Sequence, residues 1–399
     1  MAINRNFDVV VVGGGIAGSV LAGVLARAGF GVLVVEKETR FRDRVRGEAV
    51  FPWGAAEVRR LGLRDLLARA DAVEFWAKQR YDDRRPVATP AWETPGIAVS
   101  HPRLQEEAFV WAGEQGVTAL RPARAVAFAR ENGIPRVSVV AGDRETEIRA
   151  RLVVGADGKL AGTRRWADGR TEADREHHRM GGVAATGVVL DRTRVSYAWT
   201  PGVAVNWFAQ GVETSRLYLV TSAARLRESG ADRSFDGVKA FLAPFMPEGA
   251  LVDAQQAGPI GYYPNNDVWA SRIAGDGIVL VGDAAGAPDP SQGHGISLLF
   301  RDVRELSELL LSERDWHLAT AEFAARRERT FAVLRGFDRW CALLWFEDGP
   351  ESERRREGYA RAAQADPTQG GFARLEPCGP DGLIADEATR RRYFGEDLA

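Results

Sequence analysis

The sequence predicts an α/β fold: a central parallel sheet, interrupted by an antiparallel-sheet domain and followed by C-terminal helices. Three observations carry this reading. Phe7 to Val12 is an apolar strand that runs into Gly13-Gly14-Gly15-Ile16-Ala17-Gly18, and a small-residue helix then leads to a second apolar strand ending at Glu36. Two later apolar strands, Arg151 to Gly155 and Gly277 to Val281, each lead into a turn that pairs an acid with glycine, Asp157-Gly158 and Gly282-Asp283. Between those strands, apolar residues alternate over Val183 to Leu190, Val203 to Ala209 and Leu217 to Thr221, the period of an antiparallel sheet with two unlike faces.

Each part of the first unit has a physical task. Gly13 makes the tight turn, Gly15 lets the backbone approach a pyrophosphate, and Gly18 lets the helix sit close on the strand. The positive helix N-terminus then faces the phosphates. Glu36, at the end of the second strand, is placed to accept hydrogen bonds from ribose hydroxyls. Strand, glycine turn, helix, strand and acid follow in the Rossmann-like order, so the motif reads as a dinucleotide site. It does not choose the dinucleotide.

Composition narrows the function classes. The chain has 399 residues and a formal net charge of −2, which argues against nucleic acid or an anionic membrane surface as the main partner. Its two cysteines, Cys341 and Cys378, show no metal-ligand or redox spacing, so no metal site is expected and a reducing compartment is. The first residues run straight into a strand, which argues against a signal peptide. No apolar run reaches the ~18 residues of a membrane span. A soluble, cytoplasmic protein is the expectation.

Six segments follow from the pattern. Residues 1–72 open the nucleotide-binding domain, and 73–99, broken by Pro86, Pro90 and Pro95, supply strands to a substrate domain. Residues 100–180 return to the nucleotide-binding domain, starting with a helix that has Pro102 in its first turn. Residues 181–265 form the substrate sheet, 266–348 complete the nucleotide-binding domain with two long helices, and 349–399 read as a charged tail wrapped on the surface. In Glu74-Phe-Trp-Ala-Lys78-Gln, Lys78 reads as the solvated face of a strand, and His177-His178 reads as surface.

The late segment Gly282-Asp283-Ala-Ala-Gly286-Ala-Pro288-Asp289-Pro290-Ser-Gln-Gly293-His294-Gly295-Ile296 carries the most chemistry. Asp283 is placed to bind a ribityl hydroxyl. The amides of Gly293, Gly295 and Ile296 open a helix and face an electron-rich ring edge. With the N-terminal glycine turn and Asp157-Gly158, the chain resembles the single-component FAD-dependent monooxygenases related to para-hydroxybenzoate hydroxylase. The resemblance covers the first three quarters of the chain.

That resemblance implies FAD as cofactor, NADPH or NADH as a transient reductant, and O2 and a small organic molecule as co-substrates. It implies hydroxylation or epoxidation of an aromatic or polyketide-like compound through a C4a-hydroperoxyflavin. Arg46, in Arg44-Val-Arg46-Gly47-Glu48, falls where the family has an arginine loop touching the flavin, and Arg103 matches a helix-start arginine that contacts the cofactor. The implied cofactor set is Gly13, Gly15, Ala17, Gly18, Glu36, Lys37, Arg46, Arg103, Asp157, Asp283, Pro290, Gly293, Gly295 and Ile296. Arg46, Pro290 and His294 are the catalytic candidates. Trp199, Trp207 and Tyr218, on the inserted sheet, are the substrate candidates, with Tyr197 and Phe208 beside them.

Some positions depart from the family pattern. Gly286 stands where many relatives have histidine, Ala161 replaces a common serine, and Asp289-Pro290 replaces Pro-Pro. Asp-Pro also occurs in flavin-dependent halogenases and geranylgeranyl reductases, which gives a second class of reading. A non-redox scaffold holding FAD is a third. The halogenases' Trp-x-Trp segment does not occur, although Lys78 lies at a suggestive distance from the N-terminus for their halide-relaying lysine.

Overall fold

The computed structural model describes residues 5–366 and 371–398. Its central sheet runs Ile278–Leu280, Arg144–Gly155, Asn6–Val12, Val32–Val35 and Thr118–Leu120, all parallel. Val9, Val10 and Val11 are fully buried because helices cover both faces, so the strand reads as an unbroken valine run. From Asn6–Val12 the chain steps first to one side, through Val32–Val35, and later to the other, through Arg144–Gly155. The strand order therefore reverses between these neighbours, where a crevice opens at their C-terminal ends. The glycine turn and Asp157-Gly158 sit at those two ends.

The inserted sheet runs Gln255–Gln256, Arg179–Thr186, Ser215–Thr221, Val203–Ala209, Arg194–Thr200, Ala77–Asp82 and Arg85–Pro86. Period-two alternation gives it two faces. One face packs Val183, Val205, Trp207, Leu217 and Leu219 against the amphipathic helices Ala223–Ser229 and Phe235–Leu242. The other presents Met180, Val195, Phe208, Tyr218 and Val220 to Phe51, Trp53 and the long helix Trp316–Trp345. This second core joins the sheet to the nucleotide-binding domain. The late helix Gly295–Ser312 enters it with Leu298 and packs on the glycine-turn helix Ile16–Arg27 with its other side.

The C-terminal segment departs from the surface tail expected over 349–399. Pro350–Ala365, Gly371–Cys378 and Glu387–Tyr393 are helices, and Leu375, Tyr393 and Phe394 are buried in the core between the domains. Isolated apolar residues among charges hide such an element from periodicity arguments. The charges satisfy one another locally, as Arg390 does with Glu387 and Glu396, and leave the sparse apolar residues to face inward. Residues 1–4 of the first expected segment, and 367–370 and 399 of the last, lie outside the described residues.

Candidate active site

The three glycines of the first turn differ in what holds them. Gly13 has φ 107°, and a Cβ there would lie 2.4 Å from the Ala156 carbonyl oxygen; one on Gly18 would lie 1.9 Å from Gly13 O. Both are fixed by packing. A Cβ on Gly15 would meet only Gln105 Nε2, at an ordinary 3.5 Å, so that position is open toward the crevice. The helix starting at Ile16 has no side-chain cap and no acid in its first turn, which leaves its positive end for a ligand. Glu36 accepts from Gly14 N and Glu38 N, both at 2.7 Å, and each carboxylate oxygen keeps a second lone pair. Ala17 lies against Gly282, and Lys37 is exposed just beyond Glu36.

The middle and late motifs come together above that turn. Asp157 accepts from Gly162 N and from Thr163 N and Oγ1, so it caps its own 3-10 turn. The Asp283 carbonyl accepts from Arg164 Nη2, whereas its half-buried carboxylate has no hydrogen-bond partner among the described residues. Arg46 likewise makes no hydrogen bond among the described residues. Arg46 and Asp283 both lie close enough to His101 and Lys159 to act on their protonation. Gly47 bridges this group to the late helix: its carbonyl meets His101 Nδ1 at 2.7 Å, and its Cα side faces Ile296.

The loop carrying Arg46 is fastened to the inserted sheet. Glu48, fully buried, accepts from Arg216 Nε at 2.8 Å, from Arg216 Nη2, from Tyr218 Oη at 2.7 Å and from Gln210 Nε2. Arg216 also donates to Asp43 Oδ2 at 2.9 Å, and Asp43 Oδ1 accepts from Val45 N at 2.7 Å. Val45 itself has φ 57°, a left-handed conformation costing a β-branched residue about 1–3 kcal/mol. Burial raises the Glu48 carboxyl, with the Arg216 charge pulling the other way; Arg216 itself is pushed up by Glu48 in spite of its burial.

The Gly293–Ile296 turn is held from behind by Asp289. That carboxylate accepts from Ser291 N and Oγ, meets His177 Nε2 at 2.6 Å, and is approached by Asn265 Nδ2. His177 and His178 therefore do not form the free surface pair the sequence suggests. They pack on Phe346, and burial with the His177 charge lowers His178 to about 4. Pro290 opens the short 3-10 turn that leads to Gly293, at φ 75°, and a Cβ on Gly295 would meet nothing within 4 Å. His294 points the other way, into the core. It lies among Phe51 and Trp53, with Nε2 at 3.8 Å from Asp338 Oδ1. Burial and the Lys78 charge lower His294 to about 3, and burial with the charges of Asp267 and Asp289 drives Asp338 far up. Neither Asp338 oxygen nor His294 Nδ1 has a hydrogen-bond partner among the described residues, and each such orphan costs about 1–3 kcal/mol.

Three residues, Trp207, Arg103 and Lys78, lie elsewhere than the sequence suggests. Trp207 lies on the outer face of the sheet, against Tyr81 at 4.9 Å between ring centroids, because its register partner Leu217 also points outward. Tyr218 faces inward to Glu48, and Trp199 meets Trp345 edge-on at 4.0 Å. Arg103 pairs with Asp71 on the surface, while Gln105, two residues along the same helix, faces Gly15. Lys78 is not a solvated lysine: it pairs with Glu376 Oε1 at 2.5 Å and lies 4.9 Å from the Tyr197 ring. Sequence spacing gave no sign of this, since Glu376 comes from the helix Gly371–Cys378, far along the chain.

An open glycine turn, an acid at the second strand, an Asp283 carboxylate without a partner among the described residues and a second uncapped helix end suit a dinucleotide-binding protein with an inserted antiparallel sheet. The comparisons agree. The chain belongs to the FAD binding domain family, whose model matches residues 6–316. It is 28% identical over 379 residues to a menaquinone reductase of Mycobacterium tuberculosis (strain H37Rv), covering 87% of this chain and 86% of that protein. In fold it is similar to p-nitrophenol 4-monooxygenase PnpA from Pseudomonas putida DLL-E4, with TM-score 0.78 at 18% identity over 95% of this chain and 100% of that one. It is similar too to the flavin-dependent brominase Bmp2, with TM-score 0.76 at 18% identity over 98% and 99% of the two chains. No helix among the described residues is long and apolar enough to cross a membrane, and no group of side chains among them is arranged to hold a metal ion.

Proposed function

We propose that the protein is an FAD-dependent monooxygenase that uses NADPH or NADH and O2 to hydroxylate or epoxidise an aromatic or polyketide-like small molecule. The observation that carries this reading is the meeting of the Gly293–Ile296 turn with the inward face of the inserted sheet in one water-shielded interior, where His294 and Tyr218 are both buried. Bound FAD supplies transfer of electrons from nicotinamide to O2 and of oxygen to substrate.

The chain's own residues bind, orient and exclude water. The free amides at Ile16 and Gly295 hold the phosphates and the ring edge, with Gly13, Ala17 and Gly18 shaping the turn. Glu36 takes the ribose, and Asp283 the ribityl chain. Arg46 supplies the positive charge near the pyrophosphate and ring, with Lys37 and Asp157 at the margins. Pro290 fixes the direction of the late turn. Gln105 takes the place expected for Arg103. Tyr218 and Trp199 border the substrate, and the tight core around them keeps water from the reacting atoms. The Glu48–Arg216 pair keeps the Arg46 loop in register with the sheet face that carries Tyr218.

The test is purification with bound FAD, followed by NADPH or NADH oxidation in air with a panel of hydroxyarenes and polyketide-like compounds. A product that has gained one oxygen atom from O2 supports the reading. Failure of both nicotinamides to reduce the bound flavin with any compound present overturns it, and leaves FAD as a structural group. One observation favours a second reading, a halogenase: the part-buried Lys78–Glu376 pair beside Tyr197. A halide-dependent product that disappears in Lys78→Met would establish it. Substrate reduction without O2 would instead favour a reductase.

A further inference from the structure

The larger part of the inserted sheet, residues 179–264, is entered and left through one narrow root. Thr171–Ala173 leads in and Val268–Ala270 leads out, and the two pair antiparallel. Gly286–Ala287, just before the late turn, joins them as a third strand. Above that small sheet the two crossings stay bonded to each other. Asp174 N donates to Asp267 O at 3.0 Å, His177 N to Asn265 O at 3.2 Å, and Asn265 N to His178 O at 2.9 Å. The way out also reaches the middle motif, where Lys159 Nζ donates to Asn266 Oδ1 at 3.1 Å.

Asp289 ties this root to the Gly293–Ile296 turn. One carboxylate oxygen meets His177 Nε2, on the way in, at 2.6 Å, and the other accepts from Asn265 Nδ2, on the way out, at 3.3 Å. Its backbone N donates to Asp267 Oδ1, also on the way out, at 3.2 Å. The second oxygen accepts from Ser291 N at 2.8 Å and Ser291 Oγ at 2.6 Å, which caps the 3-10 turn Pro290–Gln292. A cap of that kind works at a protein surface and does not call for a side chain that is 3% exposed. Burial of the carboxylate is offset by hydrogen bonds, and those beyond Ser291 come from residues 22 to 112 positions away. The turn that follows has little stiffness of its own. Gly293 sits at φ 75°, and a Cβ on Gly295 would meet nothing within 4 Å.

We propose that Asp289 is a positioning residue: by bonding to both crossings it sets the direction of the Gly293–Ile296 turn, and with it the aim of the Gly295 and Ile296 amides at the flavin. This rests on the flavoenzyme reading above and adds to it a residue that acts on the cofactor through the root of the inserted sheet. The test reads three quantities on the FAD-loaded protein: the visible circular dichroism of the bound flavin, the FAD dissociation constant from fluorescence on dilution, and the melting temperature. Asp289→Ala should weaken FAD binding about tenfold, about 1.4 kcal/mol, and alter the flavin dichroism. Asp289→Asn still accepts from Ser291 and can donate toward His177, so it should keep the wild-type dichroism and bind FAD within about threefold of wild type. His177→Phe keeps a ring against Phe346 but loses the bond, and should alter the dichroism in the same sense as Asp289→Ala. The double variant of these two should bind FAD no more weakly than Asp289→Ala alone. Leu219→Ala, in the outer core of the inserted sheet, serves as the structural comparison: its melting temperature should fall with the flavin dichroism unchanged. Asp289→Ala behaving like Leu219→Ala overturns the proposal. An Asp289→Asn variant that matches Asp289→Ala also overturns it, since charge and not position would then be the cause. If Asp289→Ala does not fold, His177→Phe decides, and unchanged flavin dichroism there overturns the proposal. Failure of the wild-type protein to hold FAD is a different result, and it overturns the flavoenzyme reading together with this one.

Discussion

Gly15 and Asp283 are the two proposed cofactor residues whose substitution should separate cofactor binding from folding. At Gly15 a side chain has room within the protein and collides only with a ligand, whereas at Gly13 and Gly18 it strikes backbone. Gly15→Val should therefore fold, with a melting temperature close to wild type, and purify without FAD. Asp283→Ala removes a carboxylate with no partner of its own among the described residues. It should weaken FAD binding by about tenfold or more, the loss of a charge-assisted hydrogen bond of about 1.5–3 kcal/mol. Full FAD retention by both variants would overturn these assignments. Asp267 gives a prediction in pH. Burial, with the charges of Asp289 and Asp174, raises it from 3.8 to about 8. The folded state thus holds a proton that the unfolded state releases, so the contribution of Asp267 is complete below pH 3.8 and is lost as the pH rises through 8. Urea titrations should show Asp267→Asn gaining stability relative to wild type between pH 5 and pH 9, and a constant difference across that range would contradict the assignment.

At the scale of elements, the loop from Asp43 to Glu48 works as a strap between the cofactor crevice and the inserted sheet. Its strained Val45 is held by burial in the core and by Asp43, which with Glu48 is bonded to Arg216. Breaking one partner leaves a buried charge unpaired, which costs about 3–5 kcal/mol. Arg216→Met should lower stability by that order, and pairing it with Glu48→Leu should restore much of it. Both Arg216→Met and the double variant should show an altered visible spectrum of bound flavin, because the loop's anchorage is gone in each. A double variant no more stable than Arg216→Met would show that the two residues do not act as a pair. The long helix Trp316–Trp345 and the helices after it form the other wall of the interior, and they bring Asp338, Leu375 and Glu376 to it.

For the whole molecule, what was legible in the sequence was whatever is local. The glycine turn, Glu36 and the late Gly-Asp turn each form within a short stretch, so their order alone gives the parallel sheet and the interrupted topology. Residues whose role depends on distant partners were not legible. The alternation in Val203–Ala209 marks a two-faced strand without saying which face turns inward, so of the two candidates Trp207 and Phe208 only Phe208 faces the interior. Lys78 looks like a surface lysine until Glu376, 298 residues away, reaches it, and His177 looks free until Asp289 does. The C-terminal helices are charged enough to resemble a solvated wrap, yet three of their apolar residues complete the core.

In the proposed function, FAD sits across this crevice as a redox group reduced by a nicotinamide that has no Rossmann site of its own. Anaerobic mixing of the purified, FAD-loaded protein with NADPH or NADH, in the presence of a hydroxyarene, tests it most directly. The visible flavin band should bleach, and admitting O2 should restore it while the organic compound gains one oxygen atom. Bound flavin that neither nicotinamide bleaches would contradict the account.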